Sequence, residues 1–355
     1  MGITDIIIKI VLVVIIFAIS LLIALYSTYA ERKVAAFFQD RLGPNRAGPF
    51  GLLQPFADGI KMFLKEEIIP ANASAFLFIA GPSLSIMTAC IGSAVIPWGQ
   101  KLTFGSTVID LQVADINVGI LYILGVVSLG VYGVMIGGWA SNNKYSLLGA
   151  IRAASQNISY EISMGLSIIA LLMVTGTLSL REIAEQQHGF WHGSWPWQGG
   201  WFTWNFFKQP LGFLLFIVCA FAETNRTPFD LPECETELVG GYHTEYSSMK
   251  LGFYLFSEYI NMFVSSAVMA TLYWGGYNYP GMNWMLAHTG LVIAPLLGVV
   301  VLFAKIFFFI FFFMWVRWTI PRFRYDQLMD LGWKSLIPLA IANIVITGVV
   351  ITFFK

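Results

Sequence analysis

The chain has 355 residues, of which 57% are hydrophobic and only 11% charged, whereas an ordinary soluble domain carries about a quarter charged residues. That composition excludes a soluble globular protein. A formal net charge of zero removes any global electrostatic case for nucleic acid, an acidic substrate or an anionic membrane surface. Function must be sought in where the few charges sit.

A helix needs roughly 20 apolar residues to cross the hydrocarbon, because nothing there satisfies an open backbone. About eight stretches meet that need, at 6–29, 75–95, 118–139, 158–178, 206–222, 251–272, 291–315 and 336–354, the fifth being the shortest. The prediction is an all-α integral membrane protein, a single polytopic domain over 1–355 without a soluble domain, linker or repeat. The first stretch lacks a basic leader and a small-residue cleavage site, so it reads as a retained first helix.

Lysine and arginine collect on cytoplasmic connections. Arg32, Lys33, Arg41, Arg46, Lys61, Lys65, Lys144, Arg152, Arg226, Lys250, Arg317, Arg322, Arg324 and Lys334 fall in one set of connections. Lys101, Arg181 and Lys208 fall in the other. Both termini are then expected on the non-cytoplasmic side, the periplasm of a bacterium.

Within the first basic connection, Leu53, Phe56, Ile60, Phe63 and Leu64 recur at helical spacing while Gln54, Asp58, Lys61 and Lys65 fill the opposite face. This predicts an amphipathic helix lying along the interface, with Pro55 in its first turn where a missing N–H costs little. A plain surface anchor would show the same pattern. On the opposite side, 187–209 carries Trp191, Trp195, Trp197, Trp201 and Trp204, rings that prefer the headgroup level. His188 and His192 are four apart there, but no carboxylate or cysteine completes a metal site. The cysteines Cys90, Cys219 and Cys234 are too few and too far apart to hold an iron–sulfur cluster. Lys9 is close enough to a helix end to snorkel, and Lys305 has that option or a partner within the bundle.

Ionisable groups inside spans are costly, so each marks a functional hypothesis. Glu161 is expected about one turn inside the fourth span, Glu258 about two turns inside the sixth, and Glu223 at the end of the fifth, all entering from the basic side. Between Glu223 and Glu258 the chain adds Asp230, Glu233, Glu235, Glu237 and Glu245 against only Arg226 and Lys250. Pro228 and Pro232 oppose a continuous helix there. Irregular backbone at membrane depth must be buried in protein or line a wet cavity. Crowded carboxylates in poor solvent do not all ionise, so some keep exchangeable protons near neutral pH. That is what a proton relay needs; a solvated acidic loop is the plainer alternative.

At these residues a resemblance appears. The run ERKVAAFFQDRLGPNRAGPFGLLQPFADGIKMFLKEE at 31–67 resembles the signature of the complex I membrane subunit called NuoH in bacteria and the first NADH dehydrogenase subunit in mitochondria. AIRAASQNISYEIS at 150–163, AETNRTPFDLPECETELVGGYHTEY at 222–246 and WVRWTIPRFRYDQLMDLGWK at 315–334 agree in order. The resemblance implies an eight-helix core where the hydrophilic arm docks and a quinone chamber opens from the bilayer. It points to Glu31, Arg32, Arg41, Gln54, Phe56, Asp58, Arg226 and Phe229 as lining or supporting that chamber. It maps an acidic path from the chamber onto Glu161, Glu223, Asp230, Glu233, Glu235, Glu245 and Glu258.

Carried further, the resemblance implies ubiquinone or menaquinone as substrate, with NADH, FMN and iron–sulfur clusters handled by partner subunits of the hydrophilic arm. Small membrane subunits would be further partners, and no metal is expected in this chain. An isoprenoid tail needs an apolar slot and its headgroup polar partners, and the interfacial helix offers both. Cys234 stands where Gly or Ala is usual, Trp318 replaces a smaller residue, and the Trp-rich loop is extended. The competing expectations are the equivalent subunit of a membrane-bound hydrogenase or formate hydrogenlyase, and a free-standing proton or cation transporter.

Overall fold

The computed structural model describes residues 3–104, 107–187, 203–289 and 292–354. In chain order these form α1 (Ile3–Phe38), α2 (Gln54–Leu64), α3 (Ala75–Gly92), α4 (Gly119–Ala140), α5 (Lys144–Thr175), α6 (Leu180–Gln186), the single turn α7 (Asn205–Lys208) and α8 (Pro210–Glu223). Then come the turn α9 (Glu235–Leu238), α10 (Ser248–Tyr273), α11 (Met282–Thr289), α12 (Ile293–Thr319), α13 (Tyr325–Asp330) and α14 (Ile337–Phe354). A short antiparallel hairpin, β1 (Leu102–Phe104) with β2 (Thr107–Ile109), pairs Leu102 with Ile109 between α3 and α4.

Among the described residues seven helices are long and apolar enough to cross a membrane, and α8 is a shorter apolar helix. The expected eight are therefore seven full-length helices and one of 14 residues, about 21 Å at 1.5 Å per residue. Pro210 explains the difference: it starts α8 afresh after α7, where a continuous helix from 206 would need its N–H. The first and fourth stretches are also corrected. α1 runs on past residue 29 through Glu31 to Phe38, and α5 begins at Lys144, capped by Asn143, whose side chain accepts the Tyr145 N–H. Glu161 thus lies nearly five turns into its helix, because the polar turns before it face protein, not water.

α10 is the central element, with Ile260, Phe263, Ala267, Ala270 and Tyr273 fully enclosed. Around it the apolar core includes Leu171 of α5, Phe216 of α8 and Phe309 of α12. The outer faces of α1 and α14 leave Val14 and Val345 exposed, as helices facing hydrocarbon do.

α3 and α4 cross closely because glycines meet at the seam. A Cβ on Gly81 would fall 2.9 Å from the Gly137 Cα, and one on Gly137 would run into the Tyr254 hydroxyl. Pro82 within α3 has no N–H to give the Phe78 carbonyl. The Tyr246 hydroxyl takes that place, 3.2 Å from the carbonyls of both Phe78 and Gly137. Tyr254 donates to the Gly133 carbonyl at 3.0 Å. Two tyrosines thus fasten the acidic loop and α10 to the α3–α4 pair.

Lys9 does not simply snorkel: its ammonium donates to the carbonyls of Gln112 and Val113, each at 2.8 Å. Lys305 is buried in the bundle and donates to those of Trp274, Gly276 and Asn278, each at 2.7 Å. His188, His192, Trp191, Trp195, Trp197 and Trp201 lie outside the described residues.

Candidate functional site

The segment after α8 is irregular, as Pro228 and Pro232 require, but it is not a solvated loop. Phe229, Asp230, Leu231, Cys234 and Tyr242 are all buried. Gln156 of α5 secures its start, donating to the carbonyls of Ala222 at 2.7 Å and Phe229 at 2.8 Å. Further on, Gly241 takes a φ of +63°, and a Cβ there would press into the Pro232 carbonyl. Only glycine allows that close return. Arg322, after α12, holds the middle, bonding Asp230 at 2.7 Å and the Cys234 sulfur at 3.1 Å.

This folding presses Arg226 into the bundle beside two carboxylates from different helices. Its guanidinium lies 3.3 Å from Glu31 of α1 and 3.8 Å from Glu258 of α10, with the side chain only 5% exposed. The contact with Glu258 is an ion pair without a hydrogen bond. The Tyr259 ring lies 4.2 Å beneath the guanidinium, and its hydroxyl donates to Glu31 at 2.8 Å. Arg317 adds a second ion pair to Glu31, 2.7 Å away. Burial works against the charge of Arg226, but Tyr259, Glu31 and Glu258 more than offset it, so the guanidinium binds its proton more tightly than usual.

From Glu258 the network continues to Tyr242, whose hydroxyl lies 3.1 Å from Glu258 and 3.5 Å from Glu233. Burial, then Glu258 and Glu233, push the Tyr242 phenol well up, so it stays protonated. Asp230 is pushed up to about 6 by burial and by Glu233, against the pull of Arg322. These loop groups therefore include exchangeable protons near neutral pH.

Deeper in the bundle, Glu161, Glu223 and Glu258 share one cavity of about 40 Å³, room for a few waters. Ser128, Asn157, Asn225, Tyr242 and Asn261 also line it, and the Ser128 hydroxyl bonds Glu161. Carboxylates from α5, α8 and α10 thus face one polar space between otherwise apolar helices.

The remaining expected residues are more dispersed. Arg32 pairs with Asp58 at 2.8 Å, and Gln54 donates to Asp58 at 3.0 Å, tying α1 to α2. Phe56 meets Tyr26 edge to face and remains 45% exposed. Ile60 and Phe63 of α2 are exposed as well. Arg41 is on the surface, bonded to Gln39. Phe229 is packed between Tyr160 and Phe323, so it supports the loop from within. Glu245 accepts from Asn143 at the start of α5, 2.6 Å away and apart from the other acids. The side chain of Glu235 lies outside the described residues.

Sequence reasoning missed the roles of Arg317, Arg322, Tyr242, Tyr259 and Ser128. The first two sit in the block at 315–334 and count there only as basic-side charges. No spacing rule ties them to Glu31 or Asp230. Among the described residues no group of three or more His, Cys, Asp or Glu could hold a metal, and Cys90, Cys219 and Cys234 remain thiols, none joined in a disulfide.

Comparison with known proteins adds a second line. Residues 9–348 match the family model described as NADH dehydrogenase. The chain is 64% identical over 344 residues to the H-type subunit of the NADH-quinone oxidoreductase of Flavobacterium johnsoniae, covering 97% of this chain and 95% of the relative. It is 65% identical over 346 residues to an H-type subunit of the NADH-quinone oxidoreductase of Cytophaga hutchinsonii, covering 98% and 97%. A more distant relative, NADH-quinone oxidoreductase subunit 8 of Rhodothermus marinus, is 47% identical over 339 residues, with 94% of each chain covered. With nearly full coverage and a multi-pass fold, the chain belongs to the NADH dehydrogenase family, as a membrane subunit of NADH-quinone oxidoreductase.

Proposed function

We propose that this chain forms a wall of the quinone-access chamber on its basic side and the first section of a protonatable path leading from it into the bundle. The observation that carries the reading is the position of Arg226 between Glu31 and Glu258. The relatives are named as subunits of quinone oxidoreductases, which supports quinone as the substrate. An isoprenoid tail would lie along the exposed apolar face of α2, at Phe56, Ile60 and Phe63, and the headgroup would meet polar groups where α1 and α2 are tied by Arg32 and Asp58. Ubiquinone and menaquinone suit this face equally. Segments 31–70 and 223–250 serve as chamber and acid segment of one membrane domain.

Quinone reduction takes up two protons for two electrons, so negative charge develops near Glu31 before the protons arrive. A cation shared between two carboxylates responds to that charge by moving towards Glu31. Glu258 is then left with Tyr242, and exchanges protons with the shared cavity on one side and with Glu233 on the other. FMN and iron–sulfur clusters reside in partner subunits, consistent with three cysteines on separate elements. The basic face is cytoplasmic and receives the hydrophilic arm, with both termini in the periplasm of a bacterial inner membrane.

The relatives' names favour this reading over a hydrogenase subunit, and a free-standing transporter would work without partners. The test is Glu258→Gln in the assembled complex in vesicles. Quinone-linked turnover and proton translocation should fall while electron transfer from NADH to an artificial acceptor stays at the wild-type rate. Full quinone-linked turnover with full proton translocation would overturn the proposal.

A further inference from the structure

The acidic loop contains a titratable ring to which the path above gives no task. His243 ends a single helical turn, Gly241–His243, beside Tyr242. The two rings meet edge to face at 5.1 Å and 85°, which fixes how the imidazole is aimed. Its Nδ1 is enclosed, has no hydrogen-bond partner among the described residues, and lies 3.5 Å from the Glu233 carboxylate. The side chain as a whole is 23% exposed, so the exposure falls on atoms other than Nδ1. The enclosed nitrogen faces Glu233, while another part of the side chain reaches the surface of the chain.

Other acids of this loop are occupied differently. Asp230 is held by Arg322 at 2.7 Å, Glu237 by Arg152 at 2.5 Å, and Glu245 by Asn143 at 2.6 Å. Glu233 instead touches two proton carriers, Tyr242 and His243, through the same oxygen. Beyond Tyr242 lies Glu258, and beyond Glu258 the cavity shared with Glu161 and Glu223.

We propose that His243 is the port through which the carboxylate path exchanges protons with water on the basic side; this rests on the relay reading above. Starting from the neutral ring with its proton on Nδ1, water delivers a proton to Nε2, the imidazolium passes its Nδ1 proton to Glu233, and the ring is left neutral with its proton on Nε2. Release runs the same steps backwards. Only N–H and O–H bonds change, and no other reactant is needed. Glu233 is itself 18% exposed, so a direct water route is the competitor that the experiment must separate.

The experiment uses the assembled complex in vesicles. His243→Ala should slow quinone-linked turnover on the order of tenfold, at the modest end of what positioned proton transfer contributes. NADH oxidation by an artificial acceptor should be unchanged, and added imidazole should restore quinone-linked turnover, a rescue that a purely structural role does not give. His243→Gln, which offers an amide but carries no proton, should remain slow. Full turnover in either variant overturns the proposal, as does a loss in His243→Ala that imidazole leaves unchanged. If the alanine variant does not assemble, the turnover of His243→Gln decides alone. Slow Glu258→Gln beside a fully active His243→Ala removes the port and leaves the path; if both are fully active, the path itself falls.

Discussion

Arg226 stands 3.8 Å from Glu258, joining an irregular loop to the central helix through two ionisable side chains that are both buried. Burying ions is expensive, and attraction repays it only when each charge keeps close partners. Here Glu31 supplies the second partner, itself held by Arg317 and Tyr259. The arrangement gives one cation two carboxylates on separate helices, which makes it responsive and also makes it fragile.

Fragility is the first expectation. Arg226→Gln takes the guanidinium away from both Glu31 and Glu258, and breaking a buried pair from one side costs about 3–5 kcal/mol. Thermal unfolding of the purified complex should show a marked loss. Arg226→Lys keeps the charge but not the planar fork, and should recover only part of it. Equal stability of both variants with wild type would contradict the pairing.

Asp230 gives a pH-dependent expectation. Its carboxyl is pushed from 3.8 to about 6 by burial and Glu233, so the fold binds this proton more tightly than the unfolded chain does. The resulting stabilisation is fully present below about pH 4 and is lost as pH rises through about 6. Infrared titration should show a carboxyl band with a midpoint near 6 that disappears in Asp230→Asn. Arg322→Gln removes a cation that favours the carboxylate, and should move the midpoint upward. A midpoint at the ordinary value in the wild type would remove Asp230 from the set of exchangeable groups.

The glycine seam separates two substitutions of identical chemistry. At Gly137 a new methyl would run into the Tyr254 hydroxyl and lie 2.9 Å from that of Tyr246, whereas at Gly125 nothing lies within 4 Å. Gly137→Ala should lower stability by about 1–3 kcal/mol, as overpacking does. Gly125→Ala should stay within about 0.5 kcal/mol of wild type. Comparable unfolding temperatures for the two would show that the seam is looser than described.

Much of this architecture is legible in the sequence because hydrocarbon permits so few structures. The apolar stretches, the amphipathic 54–64 segment and the acidic anomaly before α10 each follow from local composition. Boundaries are less legible where function intervenes. α5 begins at Lys144 although its apolar run starts later, because Arg152, Gln156 and Asn157 face the acidic loop and its neighbours. The partners within the site are not legible from spacing at all. Glu31 and Arg226 are 195 residues apart, and Arg322 reaches Asp230 across 92. Only the fold brings such pairs together, and a charge count records them merely as basic-side arginines.

Lys305 offers an expectation independent of the acids. Its ammonium donates to three carbonyls of the turn after α10 and lies 4.5 Å from the centre of the Trp204 ring. Lys305→Met preserves much of the volume and removes all three charged bonds, each worth about 1.5–3 kcal/mol at most. The outer end of α10 should loosen, seen as faster amide exchange at 274–278 and a lower unfolding temperature. Wild-type exchange at these residues would mean that the lysine does not fasten the turn.

The central claim, that Arg226 couples the chamber side to the carboxylate path, is tested most directly by a double-mutant cycle of Glu31→Gln and Glu258→Gln. Quinone-linked turnover of the assembled complex is the readout. If both carboxylates act through the same guanidinium, the two losses should fall short of adding by at least about 1 kcal/mol, roughly a fivefold discrepancy in rate. Losses that add within about 0.5 kcal/mol would mean that Glu31 and Glu258 act separately, and would contradict the account.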